Sequence, residues 1–291
     1  MDIFTPLTLP CPLSLWRQAG AGQPVLYIHG ATFPIALSVE HRFDGFSWAD
    51  SLNAAGFDVW GLDFAGYGAS RGEDLPTVPA VEQIAVAVTA ILAETSYAQI
   101  VIIAHSWGSI PAGMFATTHP DKVTALILFG PIAQRPGSAG DALTGWRLIT
   151  AEDQYRRFVE DVPAGEAQVL SRAHFDDWAP KWLATDPSHM ERSPASVQVP
   201  CHAYNDLAAA WSGHLAYNPA HLAFPTLIIR GAWDSVCDTD DVAWFRDRVP
   251  APLFHEATIA RGTHLLHLEA NRFALYAACE DFIRQQLRIE P

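Results

Sequence analysis

Ala104-His105-Ser106-Trp107-Gly108 lies between a short apolar run and a segment with helical periodicity. A serine on the sharp turn between a strand and a helix presents its Oγ above the carboxyl edge of a sheet. Ala104 and Gly108 supply the small residues that this turn needs, because the strand and helix backbones approach closely there. A serine can also serve only as a helix N-cap, but the strand–turn–helix context favours Ser106 as a nucleophile.

On both sides of this turn, short apolar runs alternate with amphipathic segments, a pattern typical of βα units around a mostly parallel sheet. The predicted strands are Val25–His29, Phe57–Asp63, Ile100–Ala104, Val123–Phe129, Thr226–Arg230 and Leu253–Ile259. The predicted helices are Ser47–Ala55, Val81–Glu94, Gly108–Thr118, one around Asp240–Arg248 and one from about Leu266 to Leu287.

The alternation stops between about Pro131 and Pro219, where the sequence shows no clear buried strand. Polar and aromatic segments broken by prolines occupy this region, which is too long for an ordinary loop. We therefore expect a helical cap over residues 131–219, inserted into a core domain formed by residues 1–130 and 220–291.

Two later loops carry the partners that a serine nucleophile needs. Asp234 follows the predicted strand Thr226–Arg230, and His264 follows the last predicted strand. The interval between them leaves room for one helix and one strand. His264 would accept the Ser106 proton, while Asp234 would hold the imidazole tautomer and stabilise the imidazolium.

Rival acids and bases lie close to these two residues. His267 is expected inside the terminal helix with a structural role. Asp238, Asp240 and Asp241 precede or begin a predicted helix, whose N-terminus attracts carboxylates without any catalysis. Gly130-Pro131 follows the strand Val123–Phe129, so no carboxylate stands at the other common position of a triad acid.

An acyl-transfer site also needs two backbone N–H groups directed at the developing oxyanion. We expect them from Ala31, after the first strand, and from Trp107, which follows the nucleophile. His29 is expected to order its loop, and Asp63 to fix its own turn through side-chain-to-backbone hydrogen bonds. Glu269, close to His264 in the sequence, could orient that loop, but a solvated helix face is the expected position.

Composition limits the partners. The formal charge of −14 argues against nucleic acid and anionic membrane, and no apolar stretch is long enough to span a bilayer. Asp2, Pro6, Pro10 and Pro12 do not fit a secretion signal, so we expect a cytoplasmic protein. The widely spaced cysteines predict reduced thiols, and the histidines show no metal-ligand spacing, so neither metal nor cofactor is expected. The four cysteines are Cys11, Cys201, Cys237 and Cys279.

The chain resembles the α/β-hydrolase family in the identity and order of its motifs over nearly its whole length. These motifs are His29-Gly30, the run from Asp63 to Ser70, the Ser106 turn, Asp234 and His264. The resemblance implies an α/β-hydrolase fold: an eight-stranded, mostly parallel sheet with helices on both faces and an inserted helical cap. It also implies a serine hydrolase that works through an acyl-enzyme.

A narrower resemblance concerns Ser106-Trp107-Gly108-Ser109 and the later His119–Val123, which are similar to the prolyl aminopeptidase-like branch. Such peptidases usually carry Gly-Gly-Pro-Gly after the first strand, whereas this chain has Ala31-Thr32-Phe33-Pro34. We therefore expect a small-molecule ester, lactone or amide as substrate. An aminopeptidase of the prolyl iminopeptidase type, a carbon–carbon bond hydrolase and a non-hydrolytic ligand receptor stay open.

Two further expectations concern the substrate. Dehalogenases and epoxide hydrolases of this fold need a carboxylate where Ser106 stands, which excludes them. The tryptophans of the cap either line an acyl pocket or only attach the cap to the core, whereas an acid facing the pocket would bind a substrate ammonium. These tryptophans are Trp146, Trp178, Trp182 and Trp211. The acyl group, the leaving group and the oligomeric state stay open.

Overall fold

The computed structural model of the chain describes residues 5–6, 13–138 and 140–288. The strands are β1 (Thr5–Pro6), β2 (Ser14–Gln18), β3 (Pro24–Ile28), β4 (Asp58–Asp63), β5 (Ile100–His105), β6 (Val123–Phe129), β7 (Trp146–Thr150), β8 (Ser196–Pro200), β9 (Thr226–Gly231) and β10 (Phe254–Ile259). The α-helices are α1 (Trp48–Ala54), α2 (Ala80–Glu94), α3 (Ser109–Thr118), α4 (Ala151–Val159), α5 (Arg172–Leu183), α6 (His202–Ala210), α7 (Thr239–Arg246) and α8 (Arg272–Leu287).

Eight of the described strands form one sheet in the order β1-β2-β4-β3-β5-β6-β9-β10. The six strands from β4 to β10 in this order pair in parallel, whereas β2 pairs antiparallel with both β1 and β4. Every residue of β3 and β5 is buried, which explains their continuous apolar sequences, since parallel strands are covered on both faces. The predicted eight-stranded, mostly parallel sheet is confirmed.

Helices cover both faces of this sheet. Successive side chains of a strand point to opposite faces, so Leu26 and Ile28 join one hydrophobic cluster while Val25 and Tyr27 join another. Helices α2, α3 and α7 contribute to the first cluster, and α1 and α8 contribute to the second. The two clusters are the two layers of the core.

Several predicted element boundaries shift. The Ser106 turn forms a short 3₁₀ segment, so α3 begins at Ser109. The predicted terminal helix divides into a 3₁₀ turn at Leu266–Leu268 and α8, which begins at Arg272. His267 therefore lies in the turn and not inside the helix. Strands β1 and β2 were not anticipated.

The segment between β6 and β9 is mixed, not purely helical as expected. It contains α4, α5 and α6, but also β7 and β8, which pair antiparallel with Trp146 opposite Pro200 and Thr150 opposite Ser196. Strand β7 is partly exposed and carries mixed polar and apolar residues, so it shows no continuous apolar run. The boundaries of a cap over residues 131–219 stay a prediction.

Two further findings concern the described residues. None of their helices is both long and apolar enough to cross a membrane. Cys201, Cys237 and Cys279 are buried free thiols, as predicted, and Cys11 lies outside the described residues.

Candidate active site

Ser106 lies on the sharp turn that the sequence predicts. Strand β5 ends at His105, and Ser106 itself has a left-handed backbone with φ of 54°. A Cβ on Gly108 would lie 2.4 Å from the carbonyl oxygen of His29, so only glycine fits where the turn passes the first loop. Ser106 is 8% exposed. The strained backbone directs the serine into a cavity at the carboxyl edge of the sheet.

The structure brings Ser106, His264 and Asp234 together in one hydrogen-bonded chain. The Nε2 atom of His264 lies 2.8 Å from Ser106 Oγ. Its Nδ1 atom lies 3.1 and 3.0 Å from the two carboxylate oxygens of Asp234. A carboxylate at Nδ1 holds the proton on that nitrogen and leaves Nε2 free to accept the serine proton.

The Asp234 carboxylate is fixed by its own loop. Its Oδ1 atom accepts hydrogen bonds from the backbone N–H groups of Val236, at 2.8 Å, and Cys237, at 2.9 Å. Burial alone would raise the pKa of Asp234, but the charge and hydrogen bond of His264 and these two N–H groups outweigh it and lower the pKa. The acid is therefore ionised beside the imidazole at neutral pH.

Gly130 explains why no carboxylate follows β6. It has φ of 51°, and a Cβ there would lie 2.9 Å from both Asp234 Oδ2 and His264 Nδ1. The end of β6 thus packs directly against the Asp–His pair, and any side chain would displace one of the two groups.

Glu269 holds the loop that carries His264. Its carboxylate accepts hydrogen bonds from the Thr263 N–H, at 3.1 Å, and from the Thr263 hydroxyl. The same hydroxyl accepts a hydrogen bond from the Leu265 N–H at 3.2 Å, so both neighbours of His264 are fixed. Glu269 is 1% exposed, and burial raises its pKa to about 7 against the opposing effect of the Thr263 hydrogen bonds. The expected solvated position was wrong, because the chain turns before α8 begins.

His267 is a buried packing residue. Its ring lies 4.6 Å from that of His105 and 6.0 Å from that of Phe33, measured between centroids. Burial lowers the pKa of His267 to about 3, so the ring is neutral. Its contacts with the site pass through His105, whose Nε2 lies 3.0 Å from the carbonyl oxygen of His264.

The loop after β3 is ordered as predicted. The Nε2 atom of His29 accepts a hydrogen bond from the Phe64 N–H at 3.1 Å, and Nδ1 donates to the Gly30 carbonyl at 2.7 Å. The Ala31 carbonyl accepts a hydrogen bond from the Tyr67 hydroxyl at 2.8 Å. Ala31 lines the same cavity as Ser106. Its role, and that of Trp107, as oxyanion donors stay predictions.

Asp63 also behaves as predicted and extends its reach. Its carboxylate accepts hydrogen bonds from the Ala69 N–H of its own turn and the Ile35 N–H of a neighbouring segment, both at 2.9 Å. Asp238 caps α7, accepting hydrogen bonds from the N–H groups of Asp240 and Asp241. These carboxylates are occupied with local structure.

The cavity in front of Ser106 has a volume of about 330 Å³. The core contributes residues of the β3 loop, the Ser106 turn and the His264 loop, and the segment between β6 and β9 contributes the facing wall. That wall consists of Arg147, Leu148, Ile149, Asp153, Gln154, Arg156, Arg157, Glu160, Tyr204 and Leu207. No sequence pattern marked these residues, because their orientation depends on how the segment packs over the sheet.

None of the four tryptophans between β6 and β9 is among the residues that line this cavity. The expectation of a tryptophan-lined acyl pocket is therefore wrong. Trp178 and Trp182 are buried, and their indole N–H groups donate to the carbonyl oxygens of Leu37, at 3.0 Å, and Thr32, at 3.1 Å. They attach α5 to the loops that follow β3.

Within the described residues, no group of three or more histidine, cysteine, aspartate or glutamate side chains could hold a metal ion. The site itself presents a hydroxyl hydrogen-bonded to an imidazole, with a buried carboxylate on the other side of the ring.

Comparison with known proteins identifies the family. The family model described as "Serine aminopeptidase, S33" matches residues 39–271. The chain belongs to this family. It is an α/β-hydrolase enzyme, as the sequence predicts.

Among curated proteins, "Epoxide hydrolase 2" of Siraitia grosvenorii is 24% identical over 139 residues, which are 47% of this chain. The match covers 41% of that relative, so the chain spans about two fifths of its length.

Solved structures agree on the fold. A serine hydrolase involved in carbazole degradation (CarC enzyme) is 17% identical, with a TM-score of 0.68 over 98% of this chain and 100% of that one. A thermophilic esterase from Thermogutta terrifontis is 21% identical, with a TM-score of 0.61 over 98% of this chain and 99% of that one.

Proposed function

We propose that this hydrolase cleaves a small carboxylic ester, lactone or amide through an acyl-enzyme on Ser106. The observation that carries the proposal is the hydrogen-bonded chain from Ser106 Oγ through His264 to the ionised Asp234. Ser106 and His264 line a cavity of about 330 Å³. A cavity of this size suits a small acyl group.

The proposed reaction has two halves. Ser106 Oγ attacks the substrate carbonyl while His264 Nε2 takes the hydroxyl proton, and the N–H groups of Ala31 and Trp107 stabilise the oxyanion. His264 then donates the proton to the leaving group, which departs and leaves an ester on Ser106. Water, activated by His264, attacks this ester and releases the acid.

The cavity wall bears on the aminopeptidase alternative. A peptidase of this type would need a free carboxylate for the substrate ammonium. Asp153 accepts hydrogen bonds from Thr150 and lies 3.4 Å from Arg156, and Glu160 lies 3.0 Å from Arg157. Both acids of the wall are engaged, which favours the esterase over the peptidase.

The epoxide hydrolase name of the curated relative does not favour that activity here. Epoxide hydrolases of this fold need a carboxylate nucleophile, and Ser106 supplies a hydroxyl that requires the His264 base. A carbon–carbon bond hydrolase would use the same three residues, and a ligand receptor would keep the cavity without turnover. Substrate tests separate these from the proposed activity.

The experiment combines labelling with a substrate panel. A fluorophosphonate should label the wild type at Ser106, and p-nitrophenyl esters of short acids should be hydrolysed faster than aminoacyl anilides. Ser106→Ala should abolish labelling and lower kcat by on the order of 10⁴-fold. Ser171→Ala changes an exposed serine whose side chain makes no capping hydrogen bond, and it should leave both unchanged. Equal turnover by Ser106→Ala would overturn the proposal.

A further inference from the structure

Three arginines line the cavity in front of Ser106, although the chain as a whole is acidic. Arginine and lysine together number 18 in a chain of net charge −14. Arg147 of β7 and Arg156 and Arg157 of α4 nevertheless lie on the same cavity wall. Because Asp153 and Glu160 lie on the same wall, its three arginines and two acids give a formal charge of +1, against −14 for the whole chain.

The two acids of the wall do not use up the donors of these arginines. Asp153 forms the capping box of α4 with Thr150 and lies 3.4 Å from Arg156. Glu160 lies 3.0 Å from Nη1 of Arg157. Asp153 thus pairs with Arg156 and Glu160 pairs with Arg157, and neither acid forms an ion pair with Arg147.

Arg157 keeps a buried donor free. Its Nη1 group serves both Glu160 and Asp161, at 3.0 and 3.3 Å. Its Nη2 atom is buried and has no hydrogen-bond acceptor in the part of the chain that the structure describes. Buried guanidinium N–H groups are normally satisfied. The Arg157 side chain is 27% exposed and lines the cavity, so a side-chain rotation that turns Nη2 toward the cavity would let a ligand acceptor satisfy this group.

Arg147 supplies a second donor. Its guanidinium lies over the ring of Tyr204, 4.6 Å from the centroid, and both residues line the cavity. Among the described residues no carboxylate forms an ion pair with it, although its charge helps to lower the pKa of Asp153. The exposed Arg147 side chain is therefore available to a substrate, held in place by the Tyr204 ring.

We propose that Arg157 and Arg147 form a subsite for a carboxylate on the acyl chain of the substrate. The inference rests on the proposed function and names its substrate class: monoesters or monoamides of short dicarboxylic acids. A guanidinium presents two parallel N–H donors that match the oxygens of a carboxylate. The reacting carbonyl would lie at Ser106 while the distal carboxylate pairs with the arginines.

The test compares matched p-nitrophenyl esters of equal chain length. Their acyl groups come from adipate, hexanoate and aminohexanoate, and spontaneous hydrolysis is subtracted with enzyme-free blanks. We expect kcat/KM for the carboxylate-bearing ester to exceed that of the neutral ester by at least about tenfold, and the ammonium-bearing ester to be the poorest. Equal values, or a preference for the neutral or ammonium-bearing ester, would overturn the subsite.

Variants assign the preference to the two arginines. Arg157→Gln and Arg147→Gln should each lower the ratio of carboxylate to neutral kcat/KM about tenfold. Arg157→Lys keeps the charge but loses the paired donors, and should recover only part of the ratio. Arg172→Gln removes an exposed arginine of α5 that pairs with Asp176, and should leave the ratio unchanged. An unchanged ratio in both Arg157→Gln and Arg147→Gln would refute the assignment.

A binding measurement separates this inference from the proposed function. Calorimetry with adipate needs no turnover, so it remains informative if Ser106 proves unreactive and no ester is cleaved. Adipate should bind the wild type and bind folded Arg147→Gln at least about tenfold more weakly. If the esterase is active but does not bind adipate, the proposed function stands and the subsite is overturned. If the protein binds adipate but shows neither labelling nor turnover, the subsite stands and the proposed function is overturned.

Discussion

Replacing Asp234 by asparagine tests the proposed catalytic role of the hydrogen-bonded chain from Ser106 through His264 to Asp234. Two backbone N–H groups, of Val236 and Cys237, point at Oδ1 of this residue. They require an oxygen, so the asparagine must place its carbonyl oxygen there and its NH₂ group toward His264. The NH₂ group would donate to Nδ1 and move the imidazole proton to Nε2, the nitrogen that must accept the Ser106 proton.

The size of the effect follows from this tautomer change. A histidine protonated at Nε2 cannot act as a base toward Ser106, and the imidazolium would lose its buried counter-charge. We expect kcat to fall about 10⁴-fold, equivalent to about 5 kcal/mol of transition-state stabilisation. The fold should persist, because the asparagine keeps the hydrogen bonds to its own loop and to His264.

The assay is steady-state hydrolysis of the best p-nitrophenyl ester, with the fluorophosphonate labelling rate as a second readout. Asp238→Asn is the matched control, because Asp238 caps α7 and asparagine caps a helix about as well as aspartate. Its kcat/KM should stay within about twofold of the wild type. If Asp234→Asn kept kcat within about tenfold, the assignment of Asp234 would be refuted.

Three other substitutions test supporting contacts. Gly130→Ala forces a Cβ to 2.9 Å from the Asp234 carboxylate, and it should cost about 1–3 kcal/mol of stability and lower kcat more than it changes KM; an unchanged kcat would argue against this packing. Glu269 has its pKa raised by burial from 4.5 to about 7, so its contribution to stability is present at low pH and lost as pH rises through that range. In denaturant titrations, the unfolding free energy of the wild type should therefore fall relative to that of Glu269→Gln between about pH 4.5 and about pH 7; a constant difference would contradict the shift. Trp107→Phe removes the indole donor to Asp206 and should lower the unfolding free energy by about 1–3 kcal/mol; no loss by the same titration would show that the bond is dispensable.

The sheet and the three proposed catalytic residues could be predicted because their sequence signals are local. Parallel strands buried on both faces give continuous apolar runs such as Ile100–Ala104, and each run ends where a loop begins. The carboxyl ends of parallel strands share one edge of the sheet, so chain order alone brings Ser106, Asp234 and His264 to that edge. The contacts among these three residues therefore follow from the order of the strands in the sheet.

The remaining features depend on contacts between distant parts of the chain. Strand β7 is partly exposed and its sequence does not alternate regularly. In β8, Val197 and Val199 alternate with polar residues, but the run is too short to indicate a strand without knowledge of its distant partner. The sequence alone predicts Glu269 on a helix face. In the structure, the 3₁₀ turn at Leu266–Leu268 precedes it and places its carboxylate against the His264 loop. The arginines of the cavity wall have no motif at all, because only the packing of α4 and β7 over the sheet directs them toward Ser106.

A hydrogen bond also joins the Ser106 turn to the segment between β6 and β9. The indole N–H of Trp107, directly after Ser106, donates to the Asp206 carboxylate of α6 at 2.8 Å. Burial raises the pKa of Asp206 while this hydrogen bond opposes the rise, so a displacement of α6 would leave a buried acid without its donor. Tyr204 of the same helix stacks with Arg147, so α6 contacts both the Ser106 turn and one arginine of the proposed carboxylate subsite. Arg157, the other arginine, reaches the cavity from α4, so the spacing between Ser106 and the subsite depends on how α4, β7 and α6 pack together over the sheet.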